Sequence, residues 1–271
     1  KRSDFLMKKL VLMAGALALS ATAMAHTQYL YTDTLDVSGK KEVKIKTLFG
    51  HPGEGREVGG VAVGTVDGKA LPVKEFYMIH NGEKKDFTAK VTDGVIKTDK
   101  NTVRTLDYIF TPEDGLKGQG SFIFVMIPNH ATDEGYTFFG APKLIIAKDG
   151  AGADWDKRVA PGYPEIIPLK HPADLWTEDV FVAKFVDKDG NPVKHARIDV
   201  DFINAKIDVM NDTYRGGDPK MPKVSKRTYT DENGMFYFSA PRAGMYAIRA
   251  VESMDRANKV VHDTGLVVQF K

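Results

Sequence analysis

Seven histidines and 36 acidic residues, with no cysteine, are the groups of this 271-residue chain that can hold a metal or move a proton. The missing cysteines exclude thiolate zinc sites, iron–sulfur clusters, covalent c-type haem and cysteine nucleophiles. Chemistry falls to histidine, carboxylate and backbone. His26 stands apart because of what precedes it: Met7-Lys8-Lys9, an apolar run from Leu10 to Ala21, then Ala23-Met24-Ala25. A charged start, a short apolar core and small residues at a cleavage point make a secretory signal, and the run is shorter than the roughly 20 residues that span a bilayer. Cleavage after Ala25 is expected, leaving His26 first. An N-terminal His offers its α-amine and ring Nδ1 to one cation, closing a chelate ring that an internal His cannot form. That amine, with a pKa of about 7.7–8.0, loses its proton far more easily than a lysine, and nitrogen-rich tetragonal sites favour Cu(II) or Ni(II). Equally, some residue must follow any cleavage site.

Among the others, His51 lies in Phe49-Gly50-His51-Pro52-Gly53-Glu54, where a strand runs into a Gly/Pro loop. A strand end can hold an imidazole outward, with Glu54 as a further ligand or as acceptor for the ring N–H. A solvated turn histidine fits the same local sequence. His130, in the acidic stretch Asn129–Glu134, is a candidate for the same end of the molecule. His80 and His195 flank Asn-Gly and Asp-Gly turns and read as exposed. For His171 and His262 local spacing decides nothing.

The elements that must position these groups are strands. Val43, Ile45, Thr47 and Phe49 alternate with Lys44, Lys46 and Leu48, and Ile198, Val200 and Phe202 alternate with Arg197, Asp199 and Asp201. Such a period of two buries one face of an antiparallel sheet. Asn81-Gly82, Asp93-Gly94, Asp189-Gly190 and Asn233-Gly234 read as hairpin turns. The expectation is an all-β chain of two β-sandwiches. Its segments are a signal with upstream residues (1–25), a metal-binding sandwich (26–150), a Gly/Pro-rich linker (151–174) and a second sandwich (175–271). Within the second sandwich, Asn204 to Lys226 reads as a long loop.

Residues 1–25 carry a net +3 of the chain's +2, so the remainder is near neutral at −1. That balance gives no argument for nucleic acid or an anionic membrane, and no later run is long enough to insert in a bilayer. Nucleophile-elbow, P-loop, dinucleotide and H-E-x-x-H motifs are missing, and the Asp-Gly and Asn-Gly turns lack the ligand spacing of calcium loops. No enzymatic activity is expected.

Ala25/His26-Thr-Gln-Tyr-Leu, Phe49-Gly50-His51-Pro52, Gly82-x-Lys84-x-Asp86-Phe87-Thr88, Trp155-Asp156, Glu165–Leu169, Trp176-x-x-x-Val180-Phe181, Gly190-Asn-Pro192-Val193 and Thr230-Asp231-x-Asn233-Gly234-x-Phe236 occur in this order. Together they resemble the periplasmic nickel/cobalt uptake component family, NikK-like domain-of-unknown-function proteins. The resemblance spans nearly the whole chain after Ala25. It implies a soluble periplasmic protein with an Ig-like first sandwich, which binds Ni(II) or Co(II) and supports import through a membrane permease. His26 and His51 match the family's N-terminal and strand-end histidines, and His262 resembles one found before the last strand. Two departures stand out: Met245-Tyr246 replaces an aromatic pair, and Gln28 stands where an amino-terminal metal motif needs a third-position histidine. The second half resembles transthyretin-like and carboxypeptidase-regulatory sandwiches, which bears on fold.

The expected function is therefore non-enzymatic transition-metal binding for nickel or cobalt uptake. His26 and His51 supply ligands, and Glu54, His130 and His262 compete for the remaining positions. Cu(II) is a possible occupant, since it outcompetes Ni(II) and Co(II) at most nitrogen sites. The alternatives are a copper histidine-brace protein or oxidase and a carbohydrate-binding or adhesion module.

Overall fold

The structure, a computed structural model, describes residues 27–50, 58–59, 65–66, 69–70, 73–129, 131–133, 136–217 and 225–271. In chain order its strands begin with β1 (Thr27–Tyr31), β2 (Val43–Gly50), β3 (Val58–Gly59), β4 (Thr65–Val66), β5 (Lys69–Ala70), β6 (Glu75–His80) and β7 (Glu83–Asp86). Next come β8 (Thr92–Lys97), β9 (Thr102–Phe110), β10 (Gly120–Ile127), β11 (Ala131–Asp133), β12 (Tyr136–Phe139), β13 (Lys143–Lys148) and β14 (Glu165–Pro168). The remainder are β15 (Val180–Val186), β16 (Arg197–Phe202), β17 (Ala205–Asp208), β18 (Thr213–Gly216), β19 (Ser225–Tyr229), β20 (Met235–Ser239), β21 (Gly244–Asp255) and β22 (Val260–Phe270). No helix among the described residues is long and apolar enough to cross a membrane.

Three layers stack on two cores. The middle layer is a ten-stranded sheet whose main path runs β19-β16-β21-β22-β13-β10-β6-β7. On one face Phe122, Phe124, Met126, Leu144 and Val267 pack against Leu30, Ile45, Leu106 and Phe110 of a second sheet, ordered β1-β2-β9-β8-β18-β17. On the other, Ile123, Val125, Ile145, Ile248 and Leu266 pack against Ile166, Phe181, Phe185 and Phe236 of the three-stranded sheet β14-β15-β20. Strand β10 is therefore buried on both faces, which explains its unbroken apolar run Phe122–Ile127. The two sandwiches share their middle sheet, joined where β13 and β22 pair in parallel at Lys143 and Leu266.

Several local expectations are revised. Asp93-Gly94 lies inside β8 and makes no turn. Gly94 is required for space: a Cβ there would stand 2.2 Å from Asp107 Cγ, in the path of a carboxylate reaching Lys46. Asn81-Gly82 does form a tight hairpin, with φ of 50° and 79°. The segment expected as a loop after Asn204 contains the hairpin β17–β18, which joins the β1-β2-β9-β8 sheet through Thr213 and Lys97. Within 151–174, β14 pairs with β15, and Val159 and Ala160 N–H groups donate to a Glu165 carboxylate that also pairs with buried Lys143 at 2.7 Å.

Candidate functional site

The antiparallel pair β1–β2 runs from Tyr31↔Lys46 to Thr27↔Gly50. It ends at the residue after His26 and at the residue before His51. Those two histidines, Glu54 and His130 lie outside the described residues. What the structure gives is the frame that leads to them. Strand β1 is anchored by buried Tyr29, Leu30 and Tyr31, and by Asp33, whose carboxylate accepts the Val209 N–H at 3.0 Å. It also lies directly on β22: a Cβ at Gly265 would stand 2.2 Å from the Gln28 carbonyl oxygen. At the end of β2, Phe49 meets Phe138 edge-on at 5.9 Å, within a small cluster with Val251 and Val261.

Gln28 opposes Phe49 in this pair. Its Nε2 is buried and has no hydrogen-bond partner among the described residues. Burying an amide without an acceptor is costly, and such groups are uncommon in native proteins.

His262 is on β22, opposite Phe139 of β12 and Ser253 of β21. Its ring stacks on Phe139 with centroids 5.3 Å apart. Burial raises the Glu252 carboxyl above its ordinary range, and the nearby His262 partly offsets this. The adjacent Val261 points into the Phe49–Phe138 cluster, so strand alternation turns His262 to the opposite face from the end of β2.

A constellation illegible in sequence joins Ser121 to His171. His171 Nε2 lies 2.9 Å from Ser121 Oγ, and its Nδ1 accepts the Ala173 N–H at 3.1 Å. Ser121 Oγ–H donates to the Ala151 carbonyl, so the proton between serine and imidazole belongs to Nε2. In this tautomer the ring has no lone pair facing the hydroxyl and cannot serve as its base. Burial lowers the His171 pKa to about 4, keeping it neutral. The pair is a structural clasp between β10 and the segment after β14.

Another buried cluster fixes the β17–β18 hairpin. Lys46 Nζ donates to Asp107 at 2.6 Å and the Val95 carbonyl at 2.9 Å, and it pairs with Asp212 at 2.7 Å, while Lys44 holds Asp212 at 2.5 Å. Burial opposes ionisation of Asp212, and the two ammonium groups outweigh it, holding its carboxyl below the usual range. Among the described residues no group of three His, Asp or Glu side chains could hold a metal ion.

Stacked β-sheets with a strand-end pair leading to two histidines make this an all-β protein of the sandwich class. The chain belongs to the family of the domain of unknown function DUF4198, whose model matches residues 23–253. No curated protein matches its sequence. Similar solved structures include alpha-2-macroglobulin of E. coli in its native conformation, 11% identical with a TM-score of 0.20, covering 92% of this chain and 14% of that one. Dimeric latent PorU from Porphyromonas gingivalis is 11% identical with a TM-score of 0.22, covering 93% and 21%. The titin Ig tandem A164–A165 is 9% identical with a TM-score of 0.16, covering 92% and 99%. The chain thus spans 14% and 21% of the first two proteins' lengths. Overlaps at this level say nothing about activity.

Proposed function

We propose that the mature protein is a periplasmic binding protein for nickel or cobalt, with copper as competing ion, and that it serves a membrane permease that imports the metal. The observation that carries this reading is the Thr27↔Gly50 pairing. Opposed Cα atoms of an antiparallel pair lie about 4.5–5.5 Å apart and each peptide adds about 3.8 Å, so positions 26 and 51 are within about 13 Å. One cation can be reached from both by two imidazoles and the His26 amine that signal cleavage would free. The metal is cargo, and the protein's task is to capture and present it. Glu54 and His130 remain candidates for further positions. His262, turned to the opposite face, is the weakest of the set.

The test compares bound metal and calorimetry for three proteins: the mature chain starting at His26, the same chain with one Gly added before His26, and His51→Ala. The added Gly converts the amine to an amide without touching a side chain. Affinity is expected to fall tenfold or more in both variants, at least ~1.4 kcal/mol, and to weaken from about pH 8 to 5 as amine and imidazoles take up protons. Equal binding by all three overturns the reading. Oxygen uptake with copper and ascorbate would instead favour a histidine-brace oxidase.

A further inference from the structure

A cleft of about 400 Å³ opens between Lys74 ahead of β6, Asn129 after β10, Thr137 and Phe139 of β12, and Tyr163 ahead of β14. That volume is at the small end for ligand pockets and suits a single ring better than a chain of them. Backbone hydrogen bonds hold its walls: the Lys74 N–H donates to Ile127 at 2.9 Å, the Thr137 N–H to Lys259 at 2.8 Å and the Tyr163 N–H to Ala160 at 3.2 Å. The cleft is thus formed before any ligand arrives. Phe139 is 46% exposed, and its stacking on His262 fixes the ring. The electron-rich face of such a ring attracts C–H hydrogens. Around it the lining is polar. Lys74 Nζ donates to the Tyr163 hydroxyl at 3.5 Å and pairs with no carboxylate among the described residues. The Tyr163 hydroxyl hydrogen meets no acceptor among them, and the Thr137 hydroxyl and Asn129 amide make no side-chain hydrogen bond to them. No described acidic residue lines the cleft.

We propose that this cleft binds a uronate, a sugar ring that carries one carboxylate. Each part of the ligand answers a part of the cleft. The C–H face of the sugar lies on Phe139, its hydroxyls exchange hydrogen bonds with Thr137, Asn129 and Tyr163, and its carboxylate accepts from the Lys74 ammonium. Hydroxyl and amide groups both donate and accept, as sugar hydroxyls do, so the two sets match whichever way the hydrogens turn. One ammonium balances one negative charge through a charge-assisted hydrogen bond. A phosphate, with a charge of about −1.5 to −2, would leave part of its charge unanswered. An aromatic acid would satisfy Phe139 and Lys74 and leave the other three groups facing an apolar edge. The site goes beyond the metal-binding reading and does not depend on it.

The experiment titrates the mature chain with D-galacturonate, D-galactose and acetate, followed by ligand-observed NMR in EDTA, so that metal at any other site plays no part. Galacturonate is expected to saturate the protein, galactose to bind about tenfold more weakly and acetate not to saturate over the same range. Lys74→Gln should bring galacturonate down to the level of galactose, leave galactose unchanged and melt like wild type, because the lost ammonium is exposed and has no ion-pair partner among the described residues. Phe139→Ala should weaken both sugars alike. Should Phe139→Ala also lower the melting temperature, the Lys74→Gln comparison decides alone. Acetate binding as well as galacturonate would reduce the site to a lone ammonium and overturn the proposal, as would equal galacturonate binding by wild type and Lys74→Gln, or no saturation by either sugar.

Discussion

The imidazole of His171 is 5% exposed and is held neutral chiefly by burial, with its Nδ1 accepting the Ala173 N–H. An unfolded histidine titrates near 6.5, so between that value and about 4 the unfolded chain binds more protons than the folded one. The contribution is complete above ~6.5 and disappears as pH falls to about 4, an effect of up to about 3 kcal/mol. Urea unfolding at a series of pH values should show this acid slope for wild type and a flatter one for His171→Gln. An equal slope in both would mean that other groups carry it. Nothing near His171 in the chain announces the role, because Ser121 lies 50 residues away. Similarly, Lys46 reads as the wet face of an alternating strand, yet it is buried by aspartates from β9 and from the turn before β18.

At the level of elements, the crossing of β1 over β22 depends on Gly265, since any side chain there enters the Gln28 carbonyl. Gly265→Ala should push β1 away, costing about 1–3 kcal/mol, the range of overpacking. Amide exchange should quicken over residues 27–31, and metal affinity should fall even though no candidate ligand is altered. Unchanged exchange would mean that β22 yields instead. The two-residue period locates β15 and β20 at their observed boundaries, because both alternate buried and exposed residues against a single core. Where an element serves two cores or a distant partner, local pattern fails. Asp93-Gly94 looks like a turn because sequence cannot reveal the Asp107 carboxylate lying across it. Residues 204–217 look like a loop because the strand they join, β8, is more than a hundred residues earlier. Of the candidate site, the strand end before His51 was legible; the Gln28 orphan was not, since burial of one amide atom depends on packing around the whole pair.

Across the molecule, both cores lean on the one middle sheet, and β22 supplies side chains to each: Val267 to one, Leu266 and Val268 to the other. Removing residues 260–271 should therefore leave no half folded, which loss of near-UV circular dichroism and a cooperative melt would report. Survival of a native-like first half would show that its core closes alone. The position of β22 also sets an order of events. It inserts between β21 and β13, and β1 lies over its Gly265, so strands far apart in the chain are neighbours in the fold. A chain emerging N-terminus first must wait with both cores open until this strand arrives, and pairings so distant close slowly. Until then β1 has no floor, so under the proposed metal-binding function capture of a cation would wait until β22 has paired.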